Sequence, residues 1–261
     1  MATGMQNWRV TLSYDGTDFA GWQVQPGLRT IQGELQQALG RITGESPLPQ
    51  GSGRTDAGVH ALAQVASFQL RVPIPPENLA RALNQTLPTA IRAISTVHAL
   101  DDFHARHSAR GKAYEYRIFT GDVCSPFLAR YCWEPPWQLN LGDLQQAAKF
   151  ALGQHDFTSF RAVDPDLSQR NAQVETDSVR EIFHSEWEQA GPEMLVYHVR
   201  GNGFLHHMVR NLVGTFVDVG RGFQTPESIV RIIATKNRAA AGPTAPAAGL
   251  FLKQVEYGEP S

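Results

Sequence analysis

Cysteine is nearly missing from this chain: 261 residues contain Cys124 and Cys132 and no second pair. A disulfide framework and a zinc knuckle are therefore both excluded, and the two side chains read as ordinary thiols. Long apolar runs are missing as well. No stretch approaches the ~20 residues that span a bilayer, so no membrane partner is expected. The opening Met1-Ala2-Thr3-Gly4-Met5-Gln6-Asn7-Trp8 lacks a basic region followed by an apolar core, which predicts a cytoplasmic protein without an export signal. Charge of one sign does not dominate either. A formal net charge of −2 gives no overall attraction to a polyanion.

The local distribution is different. From Phe103 to Arg117 the basic residues Arg106, Arg110, Lys112 and Arg117, with His104 and His107, face the single acid Glu115. Arg200, Arg210, Arg221, Arg231, Lys236 and Arg238 form a second basic group opposed only by Asp218 and Glu227. Balanced totals hide basic grooves of this kind.

The stretch Gly51-Ser52-Gly53-Arg54-Thr55-Asp56-Ala57-Gly58-Val59-His60-Ala61 places a carboxylate beside a guanidinium in a loop too glycine-rich for a helix or a strand. A neighbouring cation favours the charged form of a carboxylate. Such a group serves as a nucleophile toward an electrophilic carbon or stabilises an oxocarbenium ion. Gly51-x-Gly53 lacks the third glycine of a dinucleotide loop. His155-Asp156 has no nucleophile elbow beside it, and His155 reads as a turn or packing residue. Asp15-Gly16-Thr17-Asp18 lacks the acidic ladder of a calcium loop. His206-His207 does not have the i, i+4 spacing of helical zinc sites, so no metal is expected.

Hydrophobic periodicity predicts the elements. Trp8, Val10, Leu12 and Tyr14 alternate as a strand. Thr30 caps a helix with Ile31, Leu35, Ala38 and Leu39, closed by Gly40. A short strand falls at 46–50, and Val65 to Val72 reads as a longer one. Pro75-Pro76-Glu77 opens a second helix, ended by Leu87-Pro88, and a strand follows over 91–97. Beyond it Tyr114, Tyr116 and Ile118 share a strand, and Leu141, Leu144, Ala148 and Leu152 a helix. Val179, Phe183 and Trp187 lie on one strand face, and 194–200 forms the next strand. A long helix has an apolar stripe of Leu205, Met208, Val209, Leu212 and Phe216, with His207, Arg210, Asn211 and Gly214 on its polar face. A short helix starts at Thr225-Pro226, and a last strand runs from Leu250 to Val255. Residues 161–170 read as a loop excursion.

The expected fold is α+β. Two ferredoxin-like, RNA-recognition-like halves, 1–105 and 106–261, merge into one central, mainly antiparallel sheet flanked by helices, with the active-site cleft between the halves. No linker separates them, so one continuous catalytic unit is expected. Tyr114, at the basic end of its strand, is placed to stack on a flipped base, and its hydroxyl to help move a proton.

Seven strings in chain order carry a family resemblance. They are Tyr14-Asp15-Gly16-Thr17 with Gly21-Trp22-Gln23; the Asp56 loop; Phe103-His104-Ala105-Arg106; Lys112-Ala113-Tyr114-Glu115-Tyr116; Gly153-Gln154-His155-Asp156-Phe157; Gly203 to Asn211; and Pro246 to Leu252. Together they resemble the tRNA pseudouridine synthase A family. Ala63 and His107 depart from its pattern. The resemblance implies a homodimeric isomerase without cofactor or metal that converts uridine to pseudouridine at positions 38, 39 and 40 of the tRNA anticodon stem-loop. It implies Asp56 as nucleophile and Arg210 as its ionic partner. Arg54 would take the place of the flipped base, while Tyr114 and Leu250 would pack on that base. Phe103, His104 and Arg106 would serve RNA binding. Two other classes stay open on the residues alone: a tRNA-binding chaperone, and a nucleoside hydrolase that would release free uracil.

Overall fold

The computed structural model describes residues 4–162 and 177–258, so most of the loop excursion expected at 161–170 lies outside the described residues. These residues form two compact α+β units. The first runs to Arg110 and resumes at Phe251; the second runs from Gly111 to Leu250. The expected division at 105 thus falls five residues earlier than the observed one. The last strand groups with the first unit because its residues Phe251 and Leu252 pair in parallel with His60 and Ala61.

The first unit contains β1 (Gln6–Tyr14), α1 (Ile31–Thr43), β2 (Gln50–Gly51), β3 (His60–Leu70), α2 (Pro76–Thr86) and β4 (Ile91–His98). β1 lies between β3 and β4, antiparallel to both, and β2 pairs with β3. The alternation of β1 holds: Trp8, Val10, Leu12 and Tyr14 are all buried. Complete burial of a side chain such as Leu35 or Leu39 in α1 contributes about 1.5–3 kcal/mol. Thr30 caps α1 by accepting a hydrogen bond from the Gly33 amide at 3.3 Å. The helix does not stop at Gly40. It ends where Gly44 enters the left-handed region at φ 75° and donates back to the Gly40 carbonyl. β3 starts five residues before the expected Val65 and ends at Leu70. There the Glu45 carboxylate accepts the Arg71 and Val72 amides at 2.9 Å, giving them a partner outside the ladder.

The second unit contains β5 (Ala109–Phe119, from Gly111 onward), α3 (Leu141–Lys149), β6 (Gly153–Asp156), β7 (Val179–Gln189), β8 (Met194–Gly201), α4 (Met208–Gly220) and α5 (Ser228–Thr235). β6, β7 and β8 form an antiparallel meander, and β5 lies antiparallel along β8. The expected face of β7 is wrong in part. The register slips between Ile182 and His184, so Phe183 sits at a bulge and is 40% exposed, while Ile182, Ser185 and Trp187 are buried. α4 starts at Met208, three residues later than its apolar stripe suggests, and His207 precedes it at φ 59°. The helix is buried on nearly every side, including Asn211, Thr215 and Asp218 of its polar face. α5 likewise starts two residues beyond Pro226. β9 (Leu250–Tyr257) closes the chain. No helix among the described residues is long and apolar enough to cross a membrane.

His155 and Asp156 have local structural partners. A ring nitrogen of His155 lies 2.8 Å from the Leu152 carbonyl oxygen. Asp156 accepts from the Thr158 amide and hydroxyl at 3.0 and 2.6 Å, and Lys236 Nζ lies 2.8 Å from its second oxygen. Lys236 first, then Thr158, holds this carboxyl down at about 2 instead of 3.8. A carboxyl depressed on folding contributes stability that is complete above its unfolded value and is lost as pH falls toward the folded one. In urea denaturation of wild type and Asp156→Asn, the stability difference should therefore be constant from neutrality down to about pH 5 and shrink between about pH 4 and pH 2.

Candidate active site

The Asp56 loop leaves β2 and enters β3, and its residues alternate in direction. Arg54 is exposed, Thr55 is buried, and Asp56 is half-buried. Thr55 is the anchor. Its hydroxyl lies 2.8 Å from the Tyr14 phenol, and its carbonyl accepts the Trp22 amide at 2.9 Å. Burial pushes the Tyr14 phenol up to about 12, so it stays neutral as a hydrogen-bonding group. The Gln64 amide nitrogen donates to the Gly53 carbonyl at 2.9 Å, and the Ser52 hydroxyl donates to the Gln64 oxygen at 2.6 Å. After the carboxylate the chain turns: Val59 donates to the Asp56 carbonyl at 3.1 Å, and Gly58 holds φ 77°. Arg54 Nε donates to the Gln23 side chain at 3.2 Å.

The Tyr14-Asp15-Gly16-Thr17 turn packs directly on this loop. A Cβ on Gly16 would lie 2.0 Å from the Val59 carbonyl oxygen, so only glycine fits there. The Gly16 amide donates to Nδ1 of His60 at 3.1 Å, and the His60 ring stacks on Phe251 with centroids 4.6 Å apart. Two strings that are distant in sequence are thus one piece of structure. Sequence reasoning missed Tyr14, Thr55 and Gln64 as supports. The signal was present in the parity of β1, which sends Tyr14 inward, and in Thr55 lying between two outward-facing residues.

Also in the first unit, Phe103, His104 and Arg106 lie on a tight turn. The Phe103 carbonyl accepts from Asn7 at 2.9 Å, and its ring packs 5.1 Å from that of Tyr257. His104 Nδ1 accepts the Arg106 amide at 3.1 Å. Burial, then the neighbouring His107, lowers the His104 pKa, which favours the neutral ring. Arg106 is exposed. Within this trio the polar groups of Phe103 and His104 hold the turn, and Arg106 presents the charge.

The second unit carries Tyr114, Arg210 and Leu250. Tyr114, on β5, is 8% exposed, and its ring meets Phe204 edge-on at 5.1 Å. Arg210, on α4, donates from Nε to the Ala245 carbonyl at 2.8 Å, and its own carbonyl accepts the Ala245 amide. At the next residue the Pro246 carbonyl accepts the Tyr116 hydroxyl at 2.8 Å. These bonds fix the segment that leads into Leu250, which is buried at the start of β9. Asn211 reinforces it from the next helix position: it donates to the Phe160 carbonyl and accepts from Arg238 and Thr244.

The description "tRNA pseudouridine synthase" belongs to the family profile that matches residues 11–108 and 147–258. Proteins named tRNA pseudouridine synthase A align over nearly the whole chain. That of Solibacter usitatus (strain Ellin6076) is 49% identical over 97% of this chain and 100% of its own length. That of Moorella thermoacetica is 45% identical over 95% and 98%, and that of Lacticaseibacillus casei 43% identical over 97% and 100%. Among solved structures, a chain titled "Crystal Structure of a Cbf5-Nop10-Gar1 Complex" aligns with TM-score 0.34 and 12% identity over 94% of this chain and 57% of that one, a likeness too weak to support an inference.

Supports behind the loop should be measurable as stability. Gln64→Leu leaves the Gly53 carbonyl and the Ser52 hydroxyl without their partner, and should cost about 1–3 kcal/mol in urea denaturation. Gly16→Ala should cost a similar amount through the clash with Val59. Ala57→Ser, exposed on the same loop, should stay within about 0.5 kcal/mol of wild type.

Proposed function

The chain belongs to the tRNA pseudouridine synthase A family, and from that membership we propose that it isomerises uridine to pseudouridine at positions 38, 39 and 40 of the tRNA anticodon stem-loop. The reaction breaks the bond between the sugar C1′ and uracil N1, turns the base, and joins C1′ to C5. One proton leaves C5 and one is gained at N1. No redox step occurs, so no cofactor is called for.

Asp56 is the nucleophile in this reading. Attack at C1′, addition at uracil C6 and removal of a sugar proton to give a glycal are the three routes open to it. All require an oriented carboxylate and a base taken out of its stack. The observation that supports this assignment is the mounting of Asp56: Thr55 is clamped from behind by Tyr14 and Trp22, and the next side chain along the loop is left half-exposed. Arg54 fills the place of the flipped base. Tyr114 and Leu250 pack on the uracil, and the Tyr114 hydroxyl helps remove the C5 proton. Arg210 supplies positive charge to the reaction. Arg106, with Phe103 and His104 shaping its turn, meets the RNA backbone. The enzyme acts as a cytoplasmic homodimer that grips tRNA with both subunits.

Unmodified tRNA carrying tritium at uridine C5 tests the reaction, because the label is released only when C5 loses its hydrogen. Wild type should release label and leave no free uracil; free uracil among the products would instead identify a hydrolase. Binding of tRNA without any release would identify a chaperone. Asp56→Ala should lose release by at least about 100-fold while retaining tRNA binding, and Tyr114→Phe should slow release by about 100-fold or more. Arg106→Ala should weaken binding and flatten the slope of log affinity against log salt by about one unit.

A further inference from the structure

Cys124 and Cys132 follow β5 on a segment of successive turns, and their sulfurs lie 3.6 Å apart. Both are free thiols, Cys124 partly exposed and Cys132 buried. We propose that this pair is a reversible oxidation site, at which hydrogen peroxide converts the two thiols to a disulfide within one chain.

The geometry favours closure. A disulfide requires the sulfurs to approach by about 1.5 Å more. The intervening chain is a compact run of turns: Leu128 and Ala129 donate to the Ser125 carbonyl, and Tyr131 donates to that of Leu128. The Cys132 thiol points at the Leu128 carbonyl oxygen, 3.3 Å away. Val123 and Phe127, at the outside of this segment, are 84% and 86% exposed, so a small displacement disturbs little packing. Beyond the pair, Trp133 is fixed to β5 by backbone bonds with Arg117 and Phe119, which holds the Cys132 end still.

Exposure assigns the roles. The Cys124 thiolate attacks one peroxide oxygen: an S–O bond forms, the O–O bond breaks, and hydroxide leaves and takes a proton to become water. Cys132 then attacks the sulfenic sulfur. An S–S bond forms, the S–O bond breaks, and the departing hydroxide takes the Cys132 proton as a second water. Two thiols are oxidised by two electrons and the peroxide is reduced to two waters. Burial, followed by the Cys124 neighbour, pushes the Cys132 thiol up to about 12, consistent with its acting second, as the resolving partner.

Treatment of the full chain with hydrogen peroxide, followed by alkylation with N-ethylmaleimide and intact mass measurement, tests this directly. The expected product is lighter by two hydrogens, takes up no maleimide, yields a 124–132 cross-linked peptide on digestion, and regains two reactive thiols with dithiothreitol. Cys132→Ser should stop at a sulfenic acid that dimedone traps on Cys124, whereas Cys124→Ser should leave Cys132 unoxidised under the same exposure. Retention of both alkylatable thiols in peroxide-treated wild type would overturn the proposal, as would a linkage confined to pairs of chains or oxidation of Cys132 first. The wild-type mass reads the chemistry whether or not either variant folds, and it is independent of uridine isomerisation.

Discussion

Thr55 is clamped at two atoms, and the placement of the Asp56 loop in the first unit depends on that clamp. Its hydroxyl meets the Tyr14 phenol inside the core, and its carbonyl meets the Trp22 amide. A glycine-rich loop pays the highest entropy cost for being ordered, and hydrogen bonds made in a low-dielectric interior offset it better than exposed ones. Thr55 is buried, while its neighbours Arg54 and Asp56 are exposed and half-buried. Gln64 and Ser52 brace the entry to the loop, and the Gly16 turn braces its exit. The carboxylate is thereby oriented by residues that have no chemical role of their own.

The second unit solves a comparable problem with a buried helix. α4 has no solvent face broad enough for its polar residues, so each must find a partner inside the protein. Asn211 bonds to Phe160, Arg238 and Thr244; Thr215 accepts the Gly242 amide; Asp218 pairs with Arg221. Three of these partners, Arg238, Gly242 and Thr244, lie on the segment 238–245, which has little apolar surface with which to order itself. Arg210 continues the same bonding to Ala245, and the Tyr116 hydroxyl to Pro246. A substitution within α4 is therefore also a substitution in the segment that delivers Leu250.

Much of this was legible in the chain. The parity of β1, the Thr30 cap and the proline start of α2 all rest on local rules, and the structure follows them. The errors have local causes as well. β7 keeps period two only up to the bulge at Phe183, and a single inserted residue moves the rest of the strand to the other face. α1 outlasted Gly40 because a left-handed residue, and not glycine as such, ends a helix, and Gly44 provides it. The early start of β3 reflects pairing with β1 and β9, partners that no window of local sequence contains.

The sequence alone determined which residues could do chemistry, because reactivity belongs to side-chain type and the glycine pattern already marked a loop. It also determined most element positions, since caps and periodicity act over a few residues. Tertiary structure decided what supports that chemistry. Tyr14 and Thr55 are 41 positions apart, Gly16 and Val59 similarly distant, and Arg210 and Ala245 are 35 apart, so their contacts exist only once strands and helices have packed. It also turned two cysteines with nothing in their spacing to recommend them into neighbours 3.6 Å apart. Local preferences set the parts, while burial of the apolar faces fixed which distant polar groups had to meet.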